Sequence, residues 1–385
     1  MVSDPDFKRI WIPEWVKKIA RPALKVLHRK PTFPPSVITQ PTGRLKPGEG
    51  PLTLVVGVDH RFNQNKPDAG MVCRLGMCRG FEQLGIPYLL TDVRDLAEIL
   101  PSTPNPICWL SEPQYDLIDR RTLRTLRNYP LFVWLDPWFA GSERFYRENN
   151  YLDYIEAWTV SRHRKVLDSQ PRFGYFADVE SRMCFHEEWI RRGMRVGSIP
   201  LACDTTQYHP QVSRVPEFEG IRMAFVGGYW PFKAIQLDKY LRPFEEELIV
   251  YGYSPWPYKG YRGLIPPEAE PSLYHQALLS PTINEPQVVN FVGLNERVFK
   301  VLGSGGATIV DAIPAYRELF SEDELPIPRD EKEFTEIARE MLRNKDLRQK
   351  YSRCGRDAVI SRHTYVHRAR SILSAMDLDF PEAKM

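Results

Sequence analysis

The stretch from Asn284 to Asp311, NEPQVVNFVGLNERVFKVLGSGGATIVD, holds the densest chemistry in the chain. Gly293 precedes a predicted helix that starts near Asn295. That helix ends in a glycine-rich turn, residues 303–306, where a strand begins. A helix start preceded by glycine offers unpaired backbone N–H groups and a positive dipole end, and both attract an anion. Arg297 falls in the first turn, where its charge opposes the dipole and gains nothing as a cap. An anion beside it accounts for that charge. A solvent-facing arginine, with glycines serving only as turns, accounts for it equally well.

The first half of the chain offers weaker candidates. GVDHRFNQNKPDAG (57–70) is a long polar loop after a predicted strand, and its His60 has the chemistry of a general base. Asp136 lies at the end of another strand, in LDP, and points toward the same edge; a turn or cap aspartate is its plainer reading. Trp109, Trp134 and Trp138 are near it in sequence, and aromatic faces suit sugar rings as well as cores. His363 and His367 have the spacing of two metal ligands on one helix face, but no third ligand follows, so no metal is expected. There is no nucleophile elbow, no Walker loop and no dinucleotide fingerprint.

The elements that position these residues alternate. LTLVVGV (52–58) is a short apolar β-branched run and reads as a buried strand. A helical stretch (70–85) follows, then strand-like IPYLLTDV (86–93), PICWLSE (106–112), LFVWLDP (131–137), YIEAWTVS (154–161) and MRVGSIPLA (194–202). Strands at 221–228, 247–253, 277–284 and 306–313 repeat the rhythm, with helices at 235–242, 268–276, 295–303, 314–320 and 331–343. Buried strands alternating with helices predict an α/β protein with parallel sheets covered on both faces. The expected division is an acceptor-side unit at 51–205, a linker at 206–220, a second unit at 221–360 and a final helix at 361–385 that crosses back to the first. Ligands of open parallel sheets bind beyond the C-terminal strand ends, so two such units facing a cleft suit a two-substrate reaction.

At 385 residues, 43% hydrophobic and 26% charged, the chain has an ordinary globular composition and exceeds one typical domain. No run has the length and apolarity of a membrane span. Residues 1–50 carry a charge of +6 and the rest −3, so the body lacks the basic excess of a nucleic-acid binder. Trp11, Trp15, Ile19, Ala23 and Leu27 recur every fourth residue beside a stripe of Lys17, Arg21, Lys25 and Arg29. That is a basic amphipathic helix suited to an anionic membrane surface through residues 8–30; packing on its own protein is the alternative. A proline-rich linker (31–51) follows. The six cysteines form no C-x-x-C pair and no secretory signal is visible, which predicts buried thiols in a cytoplasmic protein, peripheral on the inner face of a membrane.

The block NERVFKVLGSGGATIVDAIPAYRELF (295–320) resembles the donor-domain signature of group-1 type glycosyltransferases of the GT-B fold. The resemblance runs on through residues 330–373. SIPLACDTTQYHP (198–210) is similar to that family's interdomain crossing, and MAFVGGYWPFK (223–233) to the strand and loop that open its donor domain. It implies two Rossmann-like doubly wound domains facing a cleft, with the N-terminal helix as an extension. It also implies transfer of a sugar from a nucleotide-diphosphate sugar to a glycan, lipid-linked or small hydroxylated acceptor, with retention and without a metal or other cofactor. Gly227 and Gly228 would let the donor approach the backbone. Lys233, Arg297 and the amides around Gly293, Leu294 and Asn295 would neutralise the diphosphate, and Gly263, Leu264 and Ile265 would lie near the base.

One departure stands out. The family places a ribose-binding glutamate five residues before the glycine of the helix–strand turn; here that position is Lys300. The earlier glutamate of its paired motif would be Val292. A lysine donates only, so it could bind phosphate but not accept from a ribose hydroxyl. Altered nucleotide handling follows, or loss of activity. A catalytically inactive nucleotide- or sugar-binding protein and a sugar-nucleotide epimerase therefore stay open beside the transferase.

Overall fold

A computed structural model describes residues 51–59, 62, 69–142, 144, 159–229, 231–286 and 294–378. The N-terminal amphipathic helix, its linker, His60 and Gly293 lie outside these residues.

The first half is a six-stranded parallel sheet. Its strands are β1 (Thr53–Val58), β2 (Tyr88–Asp92), β3 (Pro106–Ser111), β4 (Leu131–Trp134), β5 (Phe173–Phe176) and β6 (Val196–Ser198), in the order β2-β1-β3-β4-β5-β6. The helices between them are α1 (Ala69–Gln83), α2 (Leu96–Ser102), α3 (Arg120–Leu126), α4 (Thr159–Asp168) and α5 (Glu187–Arg191). Side chains on both sheet faces are buried: Val55, Leu110 and Val133 in one core, Val56, Trp109 and Phe132 in the other. That is why these strands read as continuous apolar runs.

The strand expected at 154–161 is corrected: Thr159 opens α4, and 154–158 lie outside the described residues. The strand in that place is β5, FGYF. It is four residues long and contains a glycine, so it carries little strand signal. A Cβ on Gly174 would come 2.5 Å from the Leu135 side chain, which would have to shift.

In the second half β7 (Met223–Val226) pairs in parallel with β8 (Leu248–Tyr251). Bridges Met223–Leu279, Thr282–Val310 and Val250–Tyr261 extend this row on both sides. The segments expected as strands at 277–284 and 306–313 thus lie in the sheet as isolated bridges. The surrounding helices are α6 (Pro231–Leu241), α7 (Glu270–Gln276), α8 (Arg297–Gly303), α9 (Glu331–Arg343), α10 (Lys345–Arg362) and α11 (Tyr365–Ala375).

The last helix packs on the first-half sheet. Tyr365, Ala369, Ile372 and Leu373 of α11 share a core with Val56, Phe81 and Trp109. Gly76 and Gly80 of α1 make the close approach possible, since a Cβ on Gly80 would stand 2.5 Å from the Tyr365 carbonyl oxygen. Arg368 fastens the crossing by donating to the carbonyls of Pro200 (2.7 Å), Leu201 (3.3 Å) and Arg362 (3.1 Å). Cys203 donates to His363 O and accepts from Tyr365 N, and Arg79 of α1 pairs with Asp204 at 2.5 Å. The six cysteines are free thiols, four of them buried. Among the described residues, no helix is long and apolar enough to cross a membrane.

Candidate functional site

The order of the first sheet reverses between β1 and β3, and crevices for ligands form at the C-terminal ends of strands at such points. Arg74 of α1 fills that position. Its guanidinium donates to Gly57 O (3.3 Å) and Ser111 Oγ (2.5 Å) and lies 5.0 Å from the Trp109 ring. Gln114 Nε2 donates to the same Gly57 oxygen at 2.8 Å. Arg74, Ser111 and Gln114 were not expected from the sequence; of this group only Trp109 was.

One strand further along, Asp136 meets a buried partner. The Glu112 and Asp136 carboxyl groups lie close enough for the one to act on the other. Burial, and then the Asp136 charge, push the Glu112 carboxyl well above the usual range. Arg162 holds the pair from behind, 3.4 Å from Glu112 and 2.7 Å from Asp116. His163 stands 3.6 Å from Glu112, but burial, and next the Arg162 charge, push its imidazole down to about 3. It is therefore neutral near pH 7.

Trp109 is buried in the core, and Trp134 and Trp138 are half-buried and packed against core residues. Trp109 stacks on Phe132 at 5.7 Å and Trp134 on Tyr175 at 6.0 Å. Trp138 lies against His163 at 4.0 Å, with the Arg192 guanidinium 4.5 Å from its ring. His363 and His367 do not form a metal pair. His363 Nε2 faces Leu319 O, and His367 Nδ1 faces the Thr364 hydroxyl in a helix cap. Among the described residues, no group of three or more His, Cys, Asp or Glu side chains is placed to hold a metal ion.

The second-half edge gathers most of the expected donor residues. Gly227 follows β7, and Gly228 beside it is buried. Gly252 must be a glycine: a Cβ there would lie 2.1 Å from Gly227 O. Trp256 Nε1 donates to that same oxygen at 2.9 Å and fixes the turn. Arg297 reaches over Gly227, donating from Nε to Val226 O (3.0 Å) and from Nη1 to Ile283 O (3.2 Å), with its guanidinium 4.2 Å from the Phe225 ring. Lys233, in the first turn of α6, is ion-paired with Glu285. Burial lowers its pKa more than Glu285 raises it. Gly263 has a left-handed backbone (φ +80°), where glycine is favoured, and Leu264 beside it is 61% exposed.

The expected anion cradle differs from its forecast. α8 begins at Arg297, two residues later than predicted, and backbone amides there are already accepted by side chains. The Leu294 amide lies near the buried Asp178 carboxyl and lowers its pKa, against the larger upward push of burial. Asn295 N donates to Asn284 Oδ1 at 3.0 Å, and Arg297 N to Asn295 Oδ1 at 2.9 Å. Asn284 is held in turn by Asp311 (2.6 Å) and the Tyr316 hydroxyl (3.0 Å).

Lys300 is also corrected: it presents no free charge to a phosphate. Its ammonium is buried, 3.3 Å from Glu296 and 3.7 Å from Glu270. Glu270 further accepts from the Tyr208 (2.9 Å) and Tyr274 (2.7 Å) hydroxyls. Burial alone would lower the lysine pKa, but the two carboxylates raise it above its ordinary value. Burial pushes the Glu296 carboxyl up, yet the charges of Lys300 and Arg297 bring it below the usual range. The acidic partners Glu270, Glu285, Glu296 and Asp178 were missed. Glu285 follows a predicted strand directly, which was the one signal available for it.

Residues 214–374 match the family model described as glycosyl transferase-like. No curated protein matches the chain in sequence. Among solved structures it is similar to the trehalose-6-phosphate synthase OtsA, at 10% identity and TM-score 0.57, over 86% of this chain and 100% of that one. A T4 phage BGT mutant in complex with UDP-glucose superposes with TM-score 0.53 at 11% identity, over 85% and 100%. Sucrose-phosphate synthase from Thermosynechococcus elongatus gives 0.54 at 10%, over 85% and 98%. The fold common to these is GT-B.

Proposed function

We propose that this chain, whose residues 214–374 are a glycosyl transferase-like domain and whose fold is GT-B, moves a sugar from a nucleotide-diphosphate sugar to a hydroxylated acceptor. The observation that carries this reading is the convergence of Gly227, Gly228, Lys233 and Arg297 at one edge of the second sheet. The glycines let a pyrophosphate approach the backbone, and the two cations neutralise it. In the reaction the bond between the sugar carbon and the diphosphate oxygen breaks, and a bond from the acceptor oxygen to that carbon forms. Negative charge builds on the departing diphosphate, so fixed positive charge there acts mainly on the transition state. No metal is required by this account.

The acceptor enters along the first-half edge, near Arg74, Ser111 and the Glu112–Asp136 pair. Asp136 is the group placed to take or steer the acceptor proton, and His60 is a second candidate. A glycan, a lipid-linked sugar and a small hydroxylated metabolite all fit this description. Retention of configuration is favoured by the resemblance over 295–320 and 330–373. Docking on the cytoplasmic face of an anionic membrane through residues 8–30 rests on the tryptophan and lysine stripes there. Deleting residues 1–30 abolishes co-sedimentation with anionic vesicles if that is right; unchanged co-sedimentation refutes it.

One observation favours a second reading, nucleotide binding without turnover. Lys233 and Lys300 already have carboxylate partners. The test is incubation with labelled UDP-, GDP- and ADP-sugars and an extract of acceptors. Label moved to an acceptor, and lost in Lys233→Ala, supports the transferase. Binding of a nucleotide sugar with neither transfer nor hydrolysis supports the second reading.

A further inference from the structure

Several exposed cations of the second half are answered by acids: Arg329 pairs with Glu333 at 2.9 Å, Lys350 with Asp323 at 2.6 Å and Arg362 with Glu324 at 2.7 Å. The α3–α4 face of the first half is different. Over 119–127 and 161–172 the exposed charges are Arg120, Arg121, Arg124, Arg127, Arg164 and Arg172 against Asp119 and Asp168. Of these arginines only Arg121 has a carboxylate partner among the described residues, Glu98 at 3.5 Å. The excess is local, because residues 51–385 together carry a charge of −3. The two helices are fixed side by side. Leu126 of α3 and Val166 of α4 are buried in one core, and Arg127 Nε donates to Asp168 O at 2.5 Å. Lys165 of α4 turns inward instead, donating to Tyr115 O (2.9 Å) and Ile118 O (2.7 Å). With their apolar sides on the sheet, the helices present the arginines outward.

We infer that the α3–α4 face docks the first half on an anionic lipid surface, with its arginines on lipid phosphates, as a contact separate from residues 8–30. It does not depend on the donor site proposed above.

The physical reason is charge. Guanidinium groups gathered on one face without counter-charges repel one another, and an anionic surface relieves that repulsion. Every exposed cation of the face is an arginine, whose planar fork can take two phosphate oxygens at once. Where the chain leads favours a membrane over another polyanion. The strands of a parallel sheet all start at one edge. β1 starts there at Thr53, and Arg172, just before β5, donates its N–H to Leu131 O at 2.9 Å at the start of β4. Residues 1–50, with their tryptophan and lysine stripes, therefore join the body at the edge that carries Arg172. β1 and β5 are three strands apart, or roughly 15 Å. The segment 31–51 reaches at most about 70 Å, enough for both basic elements to meet one plane. The opposite strand ends, at Ser111 and Trp134, are not part of this face, so docking leaves the proposed acceptor edge open.

The experiment is co-sedimentation of the full chain with vesicles of phosphatidylcholine alone and of phosphatidylcholine with phosphatidylglycerol, at low and high salt. One variant carries Arg120→Gln, Arg124→Gln, Arg164→Gln and Arg172→Gln. A control removes the same charge elsewhere, with Lys332→Gln, Arg339→Gln, Arg343→Gln and Lys345→Gln on α9 and the start of α10. All eight positions are exposed, and thermal unfolding checks that each protein is folded. Wild type is expected to bind the anionic vesicles only, and more weakly as salt rises. The α3–α4 variant is expected to lose roughly tenfold or more in partitioning, since each cation beside an anionic leaflet adds about fivefold. The control is expected to stay close to wild type. An unchanged α3–α4 variant overturns the inference and leaves docking through residues 8–30 standing. An equal loss in the control overturns it as well, because net charge and not this face then sets the binding. Wild type that ignores anionic vesicles but binds duplex DNA or RNA at the same salt overturns it in favour of a nucleic acid. No binding of wild type to anionic vesicles overturns both membrane contacts.

Discussion

Lys300 Nζ lies 3.3 Å from a Glu296 carboxylate oxygen, one helical turn away, and the two side chains are almost fully buried. Glu270 completes the cluster from α7 at 3.7 Å, and the Lys300 ammonium lies 5.4 Å from the Tyr208 ring. The lysine that stands where the family resemblance leads one to expect an acid is thus answered by two acids around it. Restoring the acid should not restore a ribose contact. Lys300→Glu would bring three carboxylates together in a buried space and leave two of them without a cation. We expect it to lose about 3–5 kcal/mol of stability, as breaking a buried ion pair typically does. Lys300→Met should lose less, because it adds no like charge. Urea denaturation at pH 7 measures both.

Arg297 and Lys233 should behave differently from surface cations. The Arg297 fork spans the carbonyls of Val226 in β7 and of Ile283 in the segment after α7, which a lysine cannot copy. Arg297→Lys and Lys233→Ala should each weaken nucleoside diphosphate binding by roughly 10- to 100-fold, the range of a lost charge-assisted hydrogen bond. Titration calorimetry with the diphosphate that binds wild type reads this directly. An unchanged affinity in both variants places the diphosphate elsewhere.

The closure of α11 on α1 depends on Gly80. A Cβ there would press on the Tyr365 carbonyl oxygen and Cβ at 2.5 and 2.9 Å, and backbone cannot swing aside as a flexible side chain can. Gly80→Ala should cost about 1–3 kcal/mol by overpacking. Thermal unfolding should show a lower midpoint, and protease should reach the C-terminal helix sooner.

His186 gives the clearest pH prediction. It is 3% exposed, stacks on Phe176 at 4.3 Å, and its Nδ1 has no hydrogen-bond partner among the described residues. Burial pushes its pKa down to about 3. The unfolded chain takes up this proton near pH 6.5 while the folded chain does not. The stabilisation is therefore complete above pH 6.5 and is lost as pH falls toward 3, by about 1.4 kcal/mol per unit. Asp178, raised to about 6, runs the other way: it favours the folded state in acid and loses that as pH rises from about 4 through 6. His186→Phe should remove the first slope, so the variant gains on wild type between pH 6 and 4. Denaturant midpoints at pH 7, 5.5 and 4.5 test it; parallel curves contradict it.

How far the sequence reached depended on what kind of contact was at stake. Strands such as Thr53–Val58 and Pro106–Ser111 were legible because both sheet faces are buried, which forces an unbroken apolar run. Phe173–Phe176 was not, since four residues with a glycine fit a turn as well as a strand. On the second-half edge Arg297 could be read from local spacing, whereas Gly227, Gly228 and Lys233 were expected only from the family resemblance. Their acidic partners could not: Asp178 meets Leu294, and Lys300 meets Glu270, only through tertiary folding. The tryptophans show the reverse error, since an aromatic side chain in sequence carries no mark of whether its face is open. Trp138 is covered by His163, and Arg192 lies against its ring.

The central claim is that a nucleotide sugar binds where Gly227, Lys233 and Arg297 converge. Its most direct test is calorimetry of a panel of UDP, GDP, ADP, TDP and CMP against wild type and the Lys233→Ala/Arg297→Lys double variant, with folding checked by circular dichroism. The account predicts that one diphosphate binds wild type in the micromolar range and that the folded double variant loses it. No binding by folded wild type, or equal binding by both proteins, would contradict it.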